Sequence, residues 1–282
     1  MITDIGGTIS LNNGVKIPAV GLGCYKSIGS SAVDAIRWAT EFGYRHFDTA
    51  TRYLNEKDVG EGIRACGVPR DKLFLVSKMW PTSFQSPEKA IENSLKELKT
   101  DYMDGYLLHW PGTDETARLK AWEAVLKAMG KGLIRAAGVS NFQISHMEGL
   151  IAAFGVVPAI NQIELHPWYQ QTTLTDYCHL KQIAITAWSP IFRNQISEEP
   201  LLEKLSEKYG KTPAQITLRW HLQHGNIIIP KSANQQRILE NSQLFDFELS
   251  EEDMTKIDAL ESGKHTGADP NTYTGDDFQI LE

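Results

Sequence analysis

The sequence is poor in cysteine. Cys24, Cys66 and Cys178 are the three it has, far apart in a chain of 282 residues. An odd, scattered set argues against a disulfide framework and against a zinc cluster, and fits a reducing cytoplasm. No apolar run approaches the roughly 20 residues of a membrane span. The first residues, Met1-Ile2-Thr3-Asp4-Ile5-Gly6, lack the basic and apolar regions of a signal peptide. Positive charge is outweighed, 28 Lys and Arg against 35 Asp and Glu for a formal charge of −7, which argues against a nucleic-acid partner. A glycine-rich phosphate turn is also missing near the N-terminus, and that speaks against a doubly wound dinucleotide fold.

Alternation fills the chain instead. An Asn12-Asn13-Gly14 turn between short apolar runs predicts an N-terminal hairpin. Strand patterns follow at 19–24, 44–50, 73–77, 103–108, 134–139, 159–165, 184–188 and 227–229. Helical spacing fills the intervals at 31–42, 55–66, 87–98, 116–130, 143–154, 173–181, 199–209 and 213–223, and continues at 235–241 and 251–260. Eight strand–helix units without a linker predict one α/β domain over 1–282, a (β/α)8 TIM barrel. An extended C-terminal tail, polar and Gly-rich from Ser262, is expected to lie across the surface.

Chemistry gathers where the strands run out. The stretch Tyr44-Arg45-His46-Phe47-Asp48-Thr49-Ala50-Thr51-Arg52-Tyr53 ends a strand with a carboxylate and brings a phenol back over the same rim. Leu73–Ser77 delivers Lys78, and Met103–Leu108 delivers His109. Ser140, Gln162, Trp188 and Lys231 continue the series. Taken singly, an Asp after a strand is a helix cap and a Lys or His is a solvated side chain. Four ionisable groups on three strand ends are a set.

That set, with its order and spacings from Gly21-Leu22-Gly23 to about Ile257, resembles the aldo-keto reductases, and most of all the bacterial branch that includes 2,5-diketo-D-gluconic acid reductases. The resemblance implies a catalytic tetrad of Asp48, Tyr53, Lys78 and His109. Carbonyl reduction by hydride creates an alkoxide that needs a proton. Tyr53 would give it, Lys78 would lower the phenol's pKa from about 10, Asp48 would fix Lys78, and His109 would orient the carbonyl oxygen. No metal is required.

The resemblance also implies NADPH. Ser140, Asn141 and Gln162 would hold the nicotinamide carboxamide, and Trp188, followed by Ser189, would stack on its ring. Lys231, Ser232 and Arg237 would clamp the 2′-phosphate, with Glu240 and Asn241 facing the adenine. Tyr25, Trp80 and Trp110 would wall the substrate pocket. One stretch departs from the family: after Ser189-Pro190 it usually continues Leu-Gly, whereas this chain has Ile191-Phe192-Arg193-Asn194.

Two short matches point elsewhere. Tyr53-x-x-x-Lys57 is the catalytic pair of short-chain dehydrogenases, and Gly60-Glu61-Gly62-Ile63-Arg64-Ala65 imitates a dinucleotide fingerprint. The second lies inside a helical pattern and follows no strand. The expected activity is NADPH-dependent reduction of small aldehydes, α-dicarbonyls, ketones or keto-sugars. The alternatives are a short-chain-dehydrogenase-type oxidoreductase and a non-catalytic, NADPH-binding regulatory barrel. The sequence does not set the oligomeric state, and a monomer is compatible with it.

Overall fold

The computed structural model describes residues 2–276. A hairpin of β1 (Thr8–Ser10) and β2 (Lys16–Pro18) comes first. Eight parallel strands follow: β3 (Gly21–Gly23), β4 (His46–Asp48), β5 (Phe74–Met79), β6 (Met103–Leu108), β7 (Ile134–Ser140), β8 (Ile160–Glu164), β9 (Ala184–Trp188) and β10 (Ile227–Ile228), each paired with the next in chain order. Parallel bridges Val20↔Ile228 and Gly23↔Lys231 bring the last strand back to the first. The sheet is a (β/α)8 barrel.

The helices lie between and after the strands. They are α1 (Ser30–Glu41), α2 (Glu56–Ala65), α3 (Pro87–Leu98), α4 (Glu115–Gly130), α5 (Ile144–Phe154), α6 (Thr172–Leu180), α7 (Pro200–Tyr209), α8 (Pro213–Gln223), α9 (Gln235–Glu240) and α10 (Glu251–Asp258). Local chemistry starts several of them. Asp114 caps α4 through the Ala117 N–H, and Thr212 and Gln215 form a capping box on α8 with Pro213 in the first turn.

The period of two along each strand decides what the barrel encloses. On β5, Leu75 and Met79 join the large cluster between sheet and helices. Phe74 and Val76 join a second cluster inside the barrel with Leu107, Ala136, Ile160 and the hairpin residues Leu11 and Ile17. The hairpin therefore plugs the end where the strands begin. Lys78 is two residues beyond Val76, so it shares the inner face. The predicted strand stopped at Ser77; the observed one runs to Met79, which puts Lys78 inside the barrel at 0% exposure.

The imitation fingerprint has a packing explanation. Gly60 and Gly62 are on α2, between α1 and α3. A Cβ on Gly60 would lie 2.3 Å from the Leu98 carbonyl oxygen, and one on Gly62 would lie 2.7 Å from Ile36 Cδ1. The glycines let three helices close up and contact no ligand-binding turn. Gly60→Ala gains helix propensity of about 0.5–1 kcal/mol, but the overpacking costs about 1–3 kcal/mol or more. We expect a net loss of stability in urea unfolding. Gly130→Ala, at a position with open space around it, should be neutral or slightly stabilising; equal effects at the two sites would refute the packing account.

Candidate active site

The inner faces of the strands converge at the end opposite the hairpin. Asp48 closes β4, Lys78 stands next to the end of β5, Ser140 closes β7, Gln162 lies in β8 and Trp188 closes β9. His109 follows β6 directly, and its N–H is held by the Met79 carbonyl at 2.9 Å. Tyr53 arrives on a single 3-10 turn, Thr51–Tyr53, that folds back over the rim. The sequence-predicted tetrad is brought together.

Lys78 is its hub. Its ammonium donates to Asp48 Oδ1 at 2.5 Å, to the Thr49 carbonyl at 2.8 Å and to the Tyr53 hydroxyl at 3.3 Å. A lysine with no solvent contact uses its three N–H bonds in this way. Burial pulls its pKa below the usual lysine value, and Asp48 opposes that pull. The other Asp48 oxygen accepts from Gln162 Nε2 at 2.8 Å. Gln162 thus braces the carboxylate from across the barrel, a contact that the sequence reading did not contain.

Burial, and after it the negative charge of Asp48, holds the Tyr53 phenol well above the usual tyrosine value. Burial thus opposes the lowering expected from Lys78. His109 moves the other way. Burial first, then the positive charges of Lys78 and Arg52, hold it well below the usual imidazole range. At neutral pH the site therefore presents a neutral phenol and a neutral imidazole to whatever lies between them.

Aromatic rings frame these two groups. Tyr25 meets Tyr53 edge-on at 5.0 Å, and Trp80 meets His109 edge-on at 4.9 Å. Trp110 packs on Tyr273 at 4.7 Å. The described part of the tail crosses the mouth of the barrel, a more specific course than the expected surface path. Its Gly275 carbonyl accepts from Trp80 Nε1 at 2.8 Å. On the opposite side, Glu164 takes N–H and O–H bonds from Thr266 and a 2.7 Å bond from the Gly267 N–H. Glu164 and Tyr273 were absent from the expected set. Glu164 could have been found, since it is two residues beyond Gln162 on one strand and so faces the same way. Tyr273 gave no sign beyond being a ring in a polar tail. Arg52, also missed, lies with its guanidinium 5.3 Å from the Trp80 ring centroid.

The residues expected to hold a nicotinamide form one connected group. Ser140 Oγ donates to the Gln162 carbonyl at 2.8 Å, Asn141 Nδ2 to the His109 carbonyl at 3.0 Å, and Trp188 Nε1 to Asn141 Oδ1 at 2.8 Å. Beyond Trp188 the backbone turns left-handed at Ser189 (φ 52°), Phe192 (44°), Arg193 (52°) and Asn194 (70°). The departure from Leu-Gly is thus accommodated by non-glycine residues in a region that costs each roughly 1–2 kcal/mol. The Ser189 hydroxyl is buried there with no hydrogen-bond partner among the described residues.

Farther out, Lys231 and Arg237 are exposed, while Ser232 and Asn241 are buried and Glu240 is half-buried. Burial lowers the Lys231 pKa, and the nearby charges of Arg237 and Lys26 lower it further. Two further cations, Arg237 and Lys26, the latter absent from the expected set, therefore lie near Lys231. None of the three has a carboxylate partner among the described residues.

Comparison with known proteins agrees with this geometry. Residues 26–262 match the model of the aldo/keto reductase family. The chain is 44% identical over 274 residues to the glyoxal reductase of Bacillus subtilis, with 96% of this chain and 99% of that one covered. It is 41% identical over 269 residues to the methylglyoxal reductase DkgA of Salmonella typhimurium, with 95% and 98% covered. Among solved structures, a mutant of Gox0644 in complex with NADPH superposes with a TM-score of 0.91 at 35% identity, covering 95% of this chain and 98% of that one. The chain belongs to the aldo/keto reductase family.

Proposed function

We propose that the protein reduces small carbonyl compounds (aldehydes, α-dicarbonyls, ketones or keto-sugars) to alcohols with NADPH, and that Tyr53 supplies the proton. The observation that carries this reading is the buried Lys78 ammonium, set between the Asp48 carboxylate and the Tyr53 hydroxyl. The glyoxal and methylglyoxal reductases among its relatives support α-dicarbonyls as substrates.

NADPH, when bound, supplies the hydride. Tyr53 is protonated at rest and passes its proton to the carbonyl oxygen as negative charge builds there. Lys78, within hydrogen-bond reach, stabilises the phenolate left behind. His109 Nδ1 is buried without a partner among the described residues. A proton there would be an orphaned donor, which is rarer than an under-used acceptor. The Nε2–H tautomer follows, and it suits donation to the carbonyl oxygen. Tyr25, Trp80 and Trp110 exclude water and bind the apolar part of the substrate.

The residues present fit the cofactor. Ser140 Oγ, Asn141 Oδ1 and Gln162 Oε1 offer acceptor lone pairs to a carboxamide NH2. The Ser189 hydroxyl, buried without a partner among the described residues, follows in the chain the Trp188 whose ring is proposed to stack on the nicotinamide. Lys231, Ser232 and Arg237, with Lys26 close by, answer a 2′-phosphate in an otherwise acidic protein, and Glu240 and Asn241 would flank the adenine.

Two sets of experiments test this reading. Tyr53→Phe keeps the ring and removes the proton. Turnover of methylglyoxal should fall by about 10²–10⁴-fold with NADPH affinity nearly intact. The wild-type kcat should show no limb at the ordinary imidazole value near 6.5, because His109 is already neutral above it, and it should decline only under strongly alkaline conditions. An active Tyr53→Phe enzyme would sink the assignment. The second concerns the phosphate. Arg237→Ala should weaken NADPH binding by about one to two powers of ten and leave NADH almost unaffected, read by titrating both cofactors. An equal loss for both would mean that Arg237 supports the site without reading the phosphate.

A further inference from the structure

Asn55 stands where a helix cap is expected, directly before α2, yet its side chain makes no cap hydrogen bond. It is wholly buried and spends its amide elsewhere. Its Oδ1 accepts from Thr49 Oγ1 at 2.7 Å. Its Nδ2 donates to two carbonyls, Cys24 and Ser27, each at 2.7 Å. Both amide hydrogens are used.

One of these bonds closes the loop that carries Tyr53, and the other two hold the segment that carries Tyr25. Thr49 is fixed at its other groups as well: its N–H donates to the Val76 carbonyl, and its own carbonyl accepts from Lys78 Nζ. The bond between Thr49 and Asn55 therefore pins the neck of a short loop, residues 49–55, whose turn carries Tyr53. Thr51 Oγ1 ties the middle of that loop to the Lys78 carbonyl at 3.0 Å. Leu54 turns it back with a left-handed φ of 54°, a conformation that a leucine keeps only when its surroundings impose it. The Cys24–Ser27 segment, held by the same amide, carries Tyr25, whose ring meets Tyr53 edge-on.

We propose that Asn55 is a positioning residue for the proton donor. It ties the loop that carries Tyr53 to Thr49, the residue that takes one of the Lys78 hydrogen bonds, and to the segment that carries Tyr25. The phenol hydroxyl is thereby held over Lys78. The proposal rests on Tyr53 being the proton donor. No shorter side chain spans all three partners, and an ionised aspartate has no donors for the two carbonyls.

The test uses Thr49→Val, Thr49→Ser and Asn55→Asp in the full chain, with Tyr53→Phe as reference. Valine has the shape of threonine and lacks the hydroxyl; serine keeps the hydroxyl. Misplacing a reacting group by about 1 Å can cost a hundredfold in rate. We expect Thr49→Val and Asn55→Asp to lower kcat for methylglyoxal by about ten- to a hundredfold and to move the alkaline limb of the kcat profile. NADPH affinity should stay within about twofold, because a phenol displaced from Lys78 affects the chemical step. Thr49→Ser should recover most of the rate.

Wild-type kcat and an unmoved alkaline limb in Thr49→Val would overturn the proposal while leaving the role of Tyr53 intact. So would a loss of kcat that runs parallel to lost NADPH affinity or lost thermal stability, or one that serine does not rescue. Full activity in Tyr53→Phe would remove the premise, and the proposal with it.

Discussion

The structure depends on a charge placed where charge is costly. Lys78 has no exposure to solvent, and an ammonium in such a place persists only if its hydrogens are used and its charge is met. Asp48, the Thr49 carbonyl and the Tyr53 hydroxyl meet those needs. Asp48 ends the neighbouring strand β4, and Thr49 and Tyr53 come from the segment that follows it. Satisfying one buried lysine therefore organises β4, β5 and the loop over the rim together. Gln162 completes the arrangement from across the barrel by holding the second oxygen of Asp48.

Much of this was legible in the sequence because it is periodic or terminal. Apolar runs bounded by turn residues located the eight strands, and side chains such as Asp48 and His109 stand where those runs stop. The strand ends were less secure. Lys78 read as the first residue of a loop because a lysine breaks an apolar run. The period of two, carried from Phe74 through Val76, places it on the inner face of a strand that continues to Met79.

What the sequence concealed depends on contacts between distant segments. Glu164 and Thr266 are 102 positions apart and Trp80 and Gly275 are 195 apart, and no local pattern announces such pairs. Asn55 was hidden in a different way. Its position before a helix suggests capping, and only the geometry shows its side chain turned the other way. The surroundings of Tyr53 were half legible for a related reason. Proximity to Lys78 could be read, whereas the burial that raises the phenol's pKa could not.

The closure of the barrel is thin. β5 and β6 pair along four residues, whereas the first and last strands meet through two isolated bridges, one of which joins Gly23 to Lys231. This lightly paired joint lies beside the proposed phosphate clamp. An anion held between Lys231 and Lys26, which come from opposite sides of that joint, would act as a rivet across it, and by mass action its binding energy would add to the stability of the native state. Cofactor occupancy and resistance to unfolding would then be linked quantities in this barrel, with the seam as their point of contact.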